Sequence, residues 1–149
     1  MFVRFFARTD DSELGRAAAT YCDHLVATGL PVRLVSTRVA ELQLDARGRG
    51  GGIWDRFRGL LVTPMEGDYI NAVCGEPTDW GKFHTPGAHR NVLLLADANL
   101  AVSVPQPVIM AAVEQYDAVF VLDEQIAEVV GRVTGIVPHI APAGMAWVS

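Results

Sequence analysis

Short apolar runs alternate with amphipathic segments along this chain, most clearly in its last third. Asn91-Val-Leu-Leu-Leu-Ala96, Tyr116-Asp-Ala-Val-Phe-Val-Leu-Asp-Glu124 and Thr134-Gly-Ile-Val-Pro-His-Ile-Ala-Pro142 are each bounded by polar, Gly or Pro residues. Runs of this length fit parallel strands buried on both faces, and they fall well short of a membrane span. The same pattern opens the chain. Strands are predicted at 2–6, 32–35, 60–63, 68–74, 91–96, 118–122 and 137–141. Helical segments are predicted at about 13–28, 38–44, 108–116 and 124–133, with a single turn at 54–57. Asp11 or Ser12 is a suitable N-cap for the first helix, and Leu14, Ala18, Tyr21, Cys22 and Leu25 fall on one face. Gly29 is the expected stop, since Pro31 cannot continue the helix.

Strands and helices in this order predict an α/β fold: a single Rossmann-like three-layer domain over 1–149 with a mostly parallel sheet. In doubly wound sheets of this kind, ligands bind at the carboxyl ends of the strands. Two segments break the pattern. The glycine-rich stretch 47–52 reads as a flexible loop. Residues 75–90 form the longest stretch without periodicity, and loops of that length are expected to be functional or mobile.

Composition narrows the function classes. Half of the 149 residues are hydrophobic and 19% are charged, which excludes a disordered chain. The balance of 12 basic and 17 acidic residues gives −5 and argues against nucleic acid as a partner. Arg47, Arg49, Arg56 and Arg58 gather beside the glycine run, where a solvated loop is the expectation. Cys22 and Cys74 lie in apolar segments and are expected to be buried thiols in a reducing cytoplasm. Arg4 and Arg8 within the first strand pattern argue against a signal peptide.

Chemistry-bearing residues cluster at the predicted carboxyl edge. Arg8, Thr9, Asp10, Asp11 and Ser12 follow the first strand, and Gly15 and Arg16 open the first helix. They are candidate ligand-binding residues, with helix capping as the alternative for the carboxylates. Asp123 and Glu124 hold the equivalent position after a later strand. His24, His84, His89 and His139 are too scattered for a zinc site, and no metal is expected. A Cys74 nucleophile with His84 or His89 as base lacks any supporting motif, so no catalytic residue is assigned. Trp54, Phe57, Trp80, Phe83, His84 and Trp147 are candidate partner-binding residues, with closure of the core edge as the alternative for the rings of the irregular segment.

Three strings carry a family likeness. The first helix contains Leu14-Gly-Arg-Ala-Ala-Ala19 and leads into Leu25-Val-Ala-Thr-Gly-Leu-Pro-Val-Arg-Leu-Val35. Tyr116-Asp-Ala-Val-Phe-Val-Leu-Asp-Glu-Gln-Ile-Ala-Glu-Val-Val130 runs on to Thr134-Gly135 and Val137-Pro-His-Ile-Ala-Pro-Ala-Gly-Met145. Together these resemble the N-terminal, acceptor-side domain of GT-B glycosyltransferases over about 1–45 and 91–145. The family's loop after the first strand often holds a Gly pair that admits the donor phosphate. Here the loop is Arg8-Thr-Asp-Asp-Ser12, whose carboxylates repel a diphosphate. The family's nucleotide-sugar site lies mainly in a C-terminal domain, and the chain ends at Ser149, where that domain is expected to begin.

The resemblance and its departures imply a non-catalytic binding or regulatory protein with no cofactor. Its expected partner is another protein chain, such as a host protein occupied by a virus or mobile-element product, with a second copy as the alternative. Two other functions stay open: the acceptor-side subunit of a split glycosyltransferase, and a stand-alone nucleotide- or sugar-binding domain.

Overall fold

The computed structural model describes residues 1–37, 68–97 and 103–147, without the side chains of residues 146 and 147. The predicted elements at 38–44, 54–57 and 60–63, and the loop 47–52, lie outside the described residues. In chain order the elements are β1 (Phe2–Ala7), α1 (Glu13–Ala27), β2 (Val32–Ser36), β3 (Tyr69–Cys74), α2 (Pro77–Lys82) and β4 (Arg90–Leu94). There follow α3 (Gln106–Gln115), β5 (Ala118–Val121), α4 (Glu124–Thr134), β6 (His139–Ile140) and a 3-10 helix at Ala143–Trp147. The strands form one sheet in the order β2-β1-β3-β4-β5-β6, and every pairing is parallel. The expected Rossmann-like α/β arrangement is therefore present.

Alternation along the strands splits the core in two. Val3, Phe5, Leu34, Ile70, Leu94 and Phe120 pack with Ala18, Tyr21, Cys22 and Leu25 of α1 and with Met145 of the 3-10 helix. On the other face, Val73, Leu93, Val119 and Val121 meet Trp80 of α2, Ile109 and Val113 of α3, and Ile126 and Val130 of α4. Each fully buried Val, Leu, Ile, Phe or Met among these contributes about 1.5–3 kcal/mol.

Local signals set the helix ends. Ser12 caps α1 by accepting the Gly15 amide, and Gly29 follows at φ 86°. Asp123 caps α4, and Gly135 ends it at φ 74°. Positive φ suits glycine, which has no Cβ to clash.

Two expectations change. Residues 75–90 are not irregular throughout: Pro77–Lys82 is helical, with Pro at the first helical position and Asp79 Oδ2 accepting the Glu76 amide at 2.9 Å. The last strand is parallel, as expected, but it spans His139–Ile140 rather than 137–141. Pro138 has no N–H for the ladder, so pairing starts after it, and Val137 stands 88% exposed.

Candidate functional site

The strand order reverses direction between β1 and β3, because β2 lies to one side of β1 and the later strands to the other. A doubly wound sheet opens its ligand crevice at that switch point, at the carboxyl ends of the strands. The loops here are 8–12 after β1 and Gly75-Glu76 after β3.

Arg8 ties these loops together. Its guanidinium pairs closely with Asp10 through Nε and reaches Glu76 Oε1 through Nη1 at 3.2 Å. The Arg8 side chain is only 20% exposed, so this pair is less screened than a surface one. Asp10 also accepts from the Ser12 hydroxyl and, at 3.0 Å, from the Ser12 amide. Partial burial pushes the Asp10 carboxyl up, but the hydrogen bonds from Ser12 and Arg8 outweigh it and leave its pKa below the ordinary value. Gly15 makes room for this turn, since a Cβ there would collide with the Asp10 carbonyl and carboxylate. Thr9 is buried, with its hydroxyl 3.4 Å from that of Ser36 at the end of β2.

The structure thus brings Arg8, Thr9, Asp10, Ser12 and Gly15 together and adds Glu76. Asp11 and Arg16 are near in sequence but point into solvent. Asp123 and Glu124 belong elsewhere. They follow β5, three strands from β1, about 14 Å away at the usual strand spacing. Asp123 Oδ1 accepts the Ile126 amide at 2.8 Å, which makes it a helix cap. No group of side chains suited to a metal occurs among the described residues.

The Cys74–His pair does not assemble. Cys74 ends β3 at the carboxyl edge, fully buried, and burial pushes its thiol up. The His89 amide donates to the Tyr69 carbonyl, at the opposite end of β3, about 16 Å away along an extended strand.

The aromatic candidates divide. Trp80 is in the core at 1% exposure, with Nε1 donating to the Gly75 carbonyl at 3.2 Å. Phe83 is half-buried and stacks on Phe6 with centroids 4.5 Å apart. His84 Nε2 lies 3.0 Å from the Gln115 carbonyl, with its ring edge-on to Tyr116. Trp80 thus packs into the core, and Phe83 and His84 lie half-buried along its edge. Trp54, Phe57 and the side chain of Trp147 lie outside the described residues.

A concave feature lies between α2 and α3. This open groove is lined largely by apolar groups, including Pro77, Trp80, Pro107, Val108 and Ala111.

A buried polar network holds the chain after α2. Asn71 Nδ2 donates to Asn91 Oδ1 and to the Phe83 carbonyl, and Asn91 Oδ1 also accepts the Thr85 amide at 3.0 Å. Arg4 donates to Asn71 Oδ1 and to the Thr85 hydroxyl while lying over the rings of Phe6 and Tyr69. An Asn within each of two apolar strands was the sequence signal for this network. For Glu76 the signal was Glu-Pro-Thr-Asp, with acids flanking a helix-starting proline.

Neither the family models, the curated proteins nor the solved structures include a match to this chain. No described helix is long and apolar enough to cross a membrane.

Proposed function

We propose that this chain is a non-catalytic binding protein, a glycosyltransferase-like half fold that holds another protein chain and does not turn over a nucleotide sugar. One observation carries the reading. At the switch point the Arg8 guanidinium is engaged by Asp10 and Glu76, and Asp10 lies over the first turn of α1. An incoming diphosphate would have to displace these carboxylates from Arg8. The groove between α2 and α3 supplies an apolar strip of the kind that forms the core of protein contacts.

The purified chain is incubated with UDP- and GDP-sugars and the released nucleotide is measured. None is expected. Turnover that disappears in Arg8→Ala would overturn the proposal. Cross-linking in the native cell should then recover a discrete protein partner or a second copy.

A second reading is favoured by the polar character of the carboxyl edge, where Arg8, Asp10, Ser12 and Glu76 meet. Such groups hydrogen-bond the hydroxyls of a neutral sugar without needing to accommodate phosphate. Chemical shifts confined to residues 8–15 and 75–76 on adding an uncharged oligosaccharide would select this reading.

A further inference from the structure

We draw no further inference here: the strongest candidate, the apolar groove between α2 and α3 beside Trp80 and Val108, already serves the proposed function, and nothing in the structure shows what covers it.

Discussion

Tyr21 shows how one side chain on α1 reaches across the sheet. Its hydroxyl lies 2.6 Å from the Leu95 carbonyl and 3.0 Å from that of Phe120, and it donates between them. Burial raises its pKa well above the ordinary value, so the phenol stays protonated. Tyr21→Phe is expected to cost about 1–3 kcal/mol in urea unfolding, because a buried acceptor loses its donor. Gly15→Ala should cost about 1–3 kcal/mol by overpacking against Asp10. Asp10 gives a pH test with a definite sign. Its folded pKa lies below the ordinary value, so its contribution is present above the unfolded value of about 3.9 and fades as pH falls through the folded one. Asp10→Asn should therefore be less stable than wild type at pH 7, by roughly 1–2 kcal/mol, and the gap should close on acidification. A gap that persists unchanged at pH 2 would rule out the charge as its cause.

At the level of elements, the Asn71–Asn91 network ties down the end of the segment 75–90, which showed no periodicity in the sequence. Asn91→Ala removes the acceptor of the Thr85 amide, so that amide should lose hydrogen-exchange protection while those of β4 keep theirs. The expected stability cost is about 1–3 kcal/mol. Trp80→Ala should cost about 3–5 kcal/mol, as truncation of a core ring does, with a large fall in Tm. The strands and long helices were legible because their apolar runs and caps are local, as with Ser12, Gly29, Asp123 and Gly135. The helix Pro77–Lys82 escaped because six residues with Gly81 inside show no periodicity. Pro138 shortened the last strand by chemistry visible in the sequence. The loop 8–12 could be named from its place after a strand. Glu76 was legible as a residue at a helix start but not as the partner of Arg8, since the two are 68 residues apart and only the β1–β3 pairing joins them.

On the scale of the molecule, the sheet formed by the described residues is all parallel, and each of its pairings requires a crossover through a helix or a long segment. Refolding is therefore expected on the millisecond-to-second scale typical of non-local topologies. If the Tyr21 bonds form late, Tyr21→Phe should speed unfolding and leave refolding nearly unchanged in a chevron measurement. A slowed folding limb with an unaltered unfolding limb would place those bonds in the nucleus instead. The same latch bears on how the protein is made. The carbonyls that Tyr21 needs lie 74 and 99 residues further along the chain. At about 5–20 residues per second, the ribosome adds the farther acceptor roughly 5–20 s after Tyr21 itself. During that interval α1 can lie on β1 and β2, but its hydroxyl has no acceptor from β5 and its apolar face lacks Phe120. The first helix is therefore expected to be only partly seated on the nascent chain until β5 arrives and completes the core beneath it.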